Sequence, residues 1–430
     1  MQLYTKILIA LGLGVATGAT ANLAEIEWLR GILVSLEPVG TVFIRLITMI
    51  VIPLVISSLL VGTASLGDIR KLGRIGSKTF GYYMLTTVLA ISLGLVVSNL
   101  FKPGSRIDPT TRDRLAANFE GKAKTSIDAA AKAPTLKDVL VNLVPRNPVQ
   151  AAAEFDLLPL IFFSIVFGAA VSLVDGPPRE AVLAFFDGIS RASMIVIGWV
   201  MLIAPYAVFA LIASVVAQFG LDLLRSLMLY TLVVAGGLLL HVFGTVGFMV
   251  YFAARMSPVE FFKRIVEVPL FAFSTSSSNA TLPVSISTAE RKLGISKEIG
   301  SFVLPLGATI NMDGTALYQA VAVMFIAQIY GIDLTWTQQL TVVVTATLAS
   351  VGAAGVPSAG LITLIIVLQS IGLGNRVEAG IALILGVDRI LDMLRTAVNV
   401  TGDMSCAAFI ARTEGEDLHP AVSRVEAGTV

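Results

Sequence analysis

The chain has 430 residues, 56% of them hydrophobic and 14% charged, with 30 Lys and Arg against 29 Asp and Glu and a mean hydropathy of +0.86. An average soluble domain carries roughly a quarter charged residues, so too little charge is present here to coat a water-exposed globule. A disordered chain, a basic nucleic-acid binder and nearly every kind of soluble enzyme are excluded, leaving an all-α polytopic membrane protein.

A bilayer core takes about 20 apolar residues per helix, and candidate spans lie at 5–24, 38–66, 79–101, 152–174, 182–219 and 222–254. The first begins at Lys6 and resembles the start of a signal peptide, but its apolar stretch runs past Leu23 and reads as a retained helix. Gly14 and Gly18 within it form a GxxxG, a weak signal for close helix packing. The basic loop from Asp68 to Lys78 places that end in the cytoplasm by the positive-inside rule, and with it the N-terminus. The polar stretch 102–138 then falls outside the cell. The span at 182–219 is longer than one crossing requires, which predicts a tilt or an added surface helix. Within 222–254, His241 stands alone in an apolar run and reads as a packed or weakly polar residue.

The last part of the chain departs from simple spans. Residues 334–375 carry no charge at all, and as one helix this run would be about 63 Å long, twice the hydrocarbon thickness. Its middle, Ser350-Val-Gly-Ala-Ala-Gly-Val-Pro-Ser-Ala-Gly360, breaks a helix. Two half-helices meeting at a tip inside the membrane, a re-entrant hairpin, fit best. The uncharged stretch from Val268 to Ala289, interrupted by Ser274-Thr-Ser-Ser-Ser-Asn-Ala-Thr-Leu-Pro283, repeats the design. Irregular polar backbone at membrane depth is tolerated only where protein or a cavity surrounds it, and paired broken segments point to a transporter's binding site. Each broken element precedes a span bearing polar residues, 298–330 and 376–412.

In the final span Asp388, Asp392, Arg395, Thr396, Asn399 and Asp403 fall within an arc of about 100° at 100° per residue. An ionisable stripe in a membrane helix faces the protein interior or a wet cavity. The alternative is ion pairing that only holds the bundle together, and three acids, an Arg, an Asn and a Thr exceed what packing needs. The planar fork of Arg395 suits a carboxylate and Asp392 suits an ammonium, so the ligand reads as an acidic amino acid. In the preceding span Asn311, Asp313 and the helix-weakening Gly314 offer amide, carboxylate and carbonyl oxygens. With Asn399 and Asp403 these form an oxygen set for a hard cation such as Na⁺, buried carboxylates carrying protons being the rival. One cysteine and two histidines exclude disulfides and thiolate or imidazole metal centres, and the chain holds no ATP-binding phosphate loop. No organic cofactor is implied. The sequons at Asn279 and Asn399 lie at membrane depth and read as accidental.

Four stretches, 274–283, 307–318 (Gly-Ala-Thr-Ile-Asn-Met-Asp-Gly-Thr-Ala-Leu-Tyr), 352–360 and 392–403 (Asp-Met-Leu-Arg-Thr-Ala-Val-Asn-Val-Thr-Gly-Asp), together resemble the glutamate/aspartate transporter family of dicarboxylate/amino acid:cation symporters. The resemblance covers residues 1–413. It implies eight transmembrane helices, two opposed re-entrant hairpins, inverted repeats, a homotrimer and an elevator mechanism in the cell (inner) membrane, with both termini cytoplasmic. The implied scaffold is 1–77 (helices one and two) and 139–219 (helices four and five). The implied transport domain is helix three at 78–101 and a core at 220–413. That core holds helix six, hairpin one at 258–293, helix seven at 298–330, hairpin two at 334–375 and helix eight at 376–413. An extracellular loop at 102–138 and a cytoplasmic tail at 414–430 complete the chain.

By motif match, Asp392 would bind the substrate amine, Arg395 its side-chain carboxylate, and Thr396 and Asn399 the α-amino-acid end. Thr315 would add a contact, and Ser277, Ser278, Val356 and Gly360 would close the hairpin tips over the substrate. One implied sodium site uses Gly307, Asn311, Asn399 and Asp403. A second uses backbone oxygens of Thr309, Ser350, Val351 and Ala353, and a third Tyr83, Thr86, Thr87, Asn311 and Asp313. The sequence departs from the family pattern at Ser276 and Met393, where one of the two is usually Arg, and at Gln319, where animal members carry a proton-linked Glu. The expectation is Na⁺-coupled symport of acidic amino acids, L-aspartate first and L-glutamate second, against H⁺ coupling, C4-dicarboxylate transport, a neutral amino-acid carrier, or an anion channel or sensor.

Overall fold

The computed structural model describes residues 3–24, 26–66, 69–107, 141–219, 227–351, 359–373 and 377–418. Those residues are almost wholly helical and none of them forms a strand. Five of the described helices are long and apolar enough to cross a membrane. Large apolar side chains such as Leu13, Val42, Phe185, Trp199, Leu239 and Phe252 stand exposed on the outside. That pattern suits a hydrocarbon solvent, in which only backbone closed by its own hydrogen bonds survives.

The first elements are α1 (Leu3–Leu23), α2 (Glu27–Ser35), α3 (Glu37–Leu66) and α4 (Ile69–Phe101). After the short α5 (Pro148–Ala153) come α6 (Leu157–Ser172), α7 (Pro177–Met201) and α8 (Ala204–Phe219). The stretch read as one overlong span is thus two helices, α7 and α8. Pro205 explains the break: its ring clashes with the carbonyl four residues earlier, and the chain tightens through Leu202 N–H to Trp199 O and Ile203 N–H to Val200 O. α8 returns to pack along α1. Gly14 and Gly18 make that approach possible, since a Cβ on Gly18 would lie 2.8 Å from Val216 Cβ and 2.9 Å from the Ala213 carbonyl oxygen. α3 packs against α6 and α7 on one side and against the later helices on the other.

The remaining elements form the centre of the molecule. α9 (Met228–Phe252) contains a π-helical turn at His241–Val246. α10 (Pro258–Ile265) leads into α11 (Glu267–Thr275) and α12 (Ser278–Thr288), which meet at a tip where Ser276 takes φ 53°. Ser277 caps α12 by accepting from the Ala280 N–H at 3.1 Å. α13 (Lys297–Ile310) and α14 (Asp313–Ile329) are one apolar stretch of chain, broken where Asn311 turns extended at φ −88° and ψ 96°. The most apolar stretch across this broken helix is wholly buried. α15 (Trp336–Val351) and α16 (Ala359–Ser370) pack against each other, with Ser370 Oγ 3.2 Å from Thr345 Oγ1. α17 (Val377–Thr413) runs beside α4, α11, α13 and α14 and is the element on which both broken helices converge.

Candidate functional site

Among the described residues, five charged side chains are fully buried: Asp313, Asp388, Asp392, Arg395 and Asp403. All lie on α14 or α17. Burying an ion costs several kcal/mol unless it is paired and hydrogen-bonded, so their partners define the chemistry of the centre.

Arg395 donates from Nη1 to Asp388 Oδ1 at 3.0 Å and from Nη2 to Asp392 Oδ1 at 2.7 Å. Tyr318 of α14 donates its hydroxyl to the same Asp388 oxygen at 2.9 Å and lays its ring 3.9 Å beneath the guanidinium. Nε of Arg395 is buried without a partner. Gly360, near the start of α16, sits over this group: a Cβ there would lie 3.1 Å from Thr315 Cγ2 and 3.4 Å from Arg395 Nη1. Thr396 donates to the Asp392 carbonyl at 2.8 Å, and Asn399 Nδ2 reaches Thr315 Oγ1 at 3.4 Å. Thr315, Gly360, Asp392, Arg395, Thr396 and Asn399 therefore stand together.

Ser277 and Ser278 are buried at the tip between α11 and α12, and both arms pack on α17. Ser276 is buried there too, with an unpartnered hydroxyl, and Met393 is buried on α17. Neither is basic, so Arg395 is the sole buried arginine among the described residues. Val356 and Ala353 lie outside the described residues.

One turn further along α17 is an oxygen-rich cluster. Asn311 Nδ2 donates to Asp403 Oδ1 at 2.8 Å and to the Asn399 carbonyl at 3.2 Å. Its own Oδ1 is buried without a partner. The Gly314 N–H donates to Asn399 Oδ1 at 2.7 Å. Gly307 leaves room for this cluster, because a Cβ would lie 2.5 Å from both Asp403 Oδ1 and Tyr83 Oη. Thr87 Oγ1 donates to Asp313 Oδ1 at 2.6 Å, and Thr86 is buried one residue before it on α4. Gly307, Asn311, Asn399 and Asp403 thus converge, as do Tyr83, Thr87 and Asp313 around the same break in the α13–α14 helix. These oxygens suit a hard monovalent cation: carboxylate, amide and hydroxyl, with one amide oxygen unclaimed. Thr309 spends its hydroxyl on the Leu306 carbonyl at 2.9 Å, and Ser350 is buried on α15, which touches α13. Val351 ends α15.

Three participants carry no role that the sequence alone assigns. Asp388 lies on the polar stripe of the last span with no partner legible there, and Tyr318 lies inside a matched motif. His241, which reads from the sequence as a packed or weakly polar residue, holds Nε2 3.1 Å from Asp313 Oδ2 and is fully buried. Its one sequence signal is that no Asp, Glu, Lys, Arg or second His stands between Arg225 and Arg255. Gln319 bonds through Nε2 to Thr363 Oγ1 of α16 at 2.5 Å.

A helical membrane protein with two broken elements closing on a buried cluster of one arginine and several carboxylates is a transporter for small solutes rather than an enzyme. The chain belongs to the sodium:dicarboxylate symporter family, whose pattern it matches over residues 3–413. It is 39% identical to a proton/sodium-glutamate symport protein of Bacillus caldotenax, over 89% of this chain and 88% of that one. It is 38% identical to the proton/glutamate-aspartate symporter of Escherichia coli K12, over 96% of this chain and 93% of that one. A C4-dicarboxylate transport protein of Anaeromyxobacter sp. strain K is 35% identical over all of this chain and 93% of its own.

Proposed function

We propose that this protein is a sodium-coupled symporter of L-aspartate and L-glutamate. The observation that carries the reading is the charge of the buried centre. The buried centre holds four carboxylates and one guanidinium, a formal surplus of three negative charges with every carboxyl ionised. An acidic amino acid brings one more. Such a surplus is costly in a low-dielectric interior, which supports the entry of cations with the substrate.

The substrate assignment rests on Arg395 and Asp392. Each Nη of Arg395 is held by an aspartate. A substrate carboxylate takes over part of that fork, and the substrate ammonium takes the carboxylate of Asp392 that Arg395 gives up. A dicarboxylate without an amine would leave Asp392 facing two further carboxylates, which disfavours the C4-dicarboxylate reading despite the name of the Anaeromyxobacter relative. Thr315, Thr396, Asn399, Ser277, Ser278, Val356 and Gly360 complete the substrate shell in this proposal.

For the cation, the set around Asn311, Asn399, Asp403 and Gly307 and the set around Asp313, Thr87, Thr86 and Tyr83 offer oxygens only. The backbone of Thr309, Ser350, Val351 and Ala353 supplies a further position. Gln319 cannot titrate, so proton coupling has no carrier at that residue. Protons on the buried aspartates are the competing reading, and two of the relatives bear names with "proton" in them. Trimeric assembly, an elevator motion, residence in the inner membrane and cytoplasmic termini enter the proposal from family membership.

The test is uptake of radiolabelled L-aspartate into proteoliposomes, with sodium and proton gradients imposed separately at a clamped potential. Accumulation driven by sodium alone is expected. Accumulation driven by protons alone would keep the substrate and overturn the coupling.

A further inference from the structure

We infer that His241 is a positioning residue for the cation set around Asp313, a role that rests on the coupling reading above. Asp313 is the first residue of α14, directly after the break at Asn311 and Met312. Its carboxylate is held from two other helices. Thr87 on α4 donates to Oδ1 at 2.6 Å, and His241 on α9 stands 3.1 Å from Oδ2. An ionised carboxylate only accepts, so with Asp313 charged the hydrogen between it and His241 sits on Nε2.

One donor on each oxygen fixes the plane of the carboxylate and still leaves each oxygen a free lone pair. Those lone pairs are available to a cation beside the unclaimed Oδ1 of Asn311, two residues away.

A packing role explains His241 poorly. The side chain is fully buried and its Nδ1 has no partner, a cost that an aliphatic residue of similar volume would avoid if packing were the whole role. The helix also departs from α geometry at this residue, since the π-helical turn begins at His241. Such single insertions re-aim a side chain and cluster at functional positions. Tight, pre-oriented ligands are what select a small ion, so His241 acts on affinity for the cation without touching the substrate.

The experiment compares His241→Leu, His241→Asn and His241→Gln in the full-length purified protein. Two readouts are taken: thermal stabilisation by NaCl without amino acid, and the sodium concentration that half-saturates L-aspartate binding. Leu removes the donor, Asn is too short to reach Asp313, and Gln carries an amide N–H to about the position of Nε2. For Leu and Asn the half-saturating sodium rises about tenfold, the scale of one hydrogen bond to a charged group, and stabilisation by NaCl alone shrinks. Aspartate affinity at saturating sodium stays within about twofold, and Gln stays within about threefold of the parent for sodium. If Leu does not fold, the contrast between Asn and Gln carries the result.

Equal sodium dependence in the parent, Asn and Gln forms would overturn the inference. A loss of aspartate affinity that saturating sodium does not restore would do the same, since it would mark a general packing defect. A parent protein that binds aspartate equally well without sodium overturns the coupling reading and this inference with it.

Discussion

Gly314→Ala tests the geometry of the centre most directly. A methyl group at this position would overlap the Arg395 carbonyl oxygen and would lie 2.9 Å from Arg395 Cα and 3.0 Å from its carbonyl carbon. All three are backbone atoms of α17, so no side chain can swing aside and the two helices must separate. Overpacking of this kind costs about 1–3 kcal/mol. The separation also stretches the 2.7 Å bond from Gly314 N–H to Asn399 Oδ1, worth about 0.5–1.5 kcal/mol. The sum is a destabilisation of about 1.5–4.5 kcal/mol.

Gly81→Ala on α4 is the control. No atom lies within 4 Å of a Cβ there, and an alanine in a helix interior gains about 0.5–1 kcal/mol over glycine. Thermal unfolding of the purified protein in detergent should therefore move in opposite directions for the two variants. Because the shift carries Asp313 away from Asn399 and Asp403, Gly314→Ala should also weaken sodium-dependent aspartate binding by about tenfold, the scale of one lost charge-assisted bond. The reasoning is refuted if Gly314→Ala unfolds within about a degree of the parent, less than 1 kcal/mol shifts a domain of 150–250 residues, and binds aspartate normally.

Further outcomes follow from the same contacts. Arg395→Thr should abolish binding of acidic amino acids and admit small neutral ones; unchanged aspartate affinity by isothermal calorimetry would remove Arg395 from the substrate site. Asp313→Asn should raise the sodium requirement for binding more than it lowers the unfolding temperature, and an unaltered sodium titration would take Asp313 out of the coupling set. Beyond the last helix, Glu414 is bonded by Arg74 at 2.6 Å and Lys78 at 3.0 Å, and these bonds, Arg74 first, hold its carboxyl below the ordinary value of 4.5. The stabilisation is fully present above that value and is lost as pH falls through the lowered folded one. The parent should thus exceed Glu414→Gln in stability by at most about 1 kcal/mol at neutral pH, with the gap closing in acid. A gap that widens on acidification would contradict it.

Much of the site was legible because helix geometry converts spacing into direction. The stripe from Asp388 to Asp403 follows from 100° per residue, and the uncharged run from 334 to 375 is too long for one crossing whatever surrounds it. The Asn311–Gly314 break was legible for the same local reason. Pro205 was a local signal as well, and it went unread because the apolar run continues across it.

What tertiary structure alone decided is which turn of one helix faces which turn of another. Arg395 could be aimed at a ligand from its own sequence, but its capture by Asp388 and its stacking on Tyr318 depend on how α14 crosses α17. His241 and Asp313 are separated by 72 residues, and no periodicity links them. Their meeting is set by the rotation of α9 through its π-helical turn and by its packing against α14. Local propensity and hydrophobic period act along one chain segment at a time, whereas the pairing of buried charges is settled by desolvation, which is felt only once the helices have closed around them.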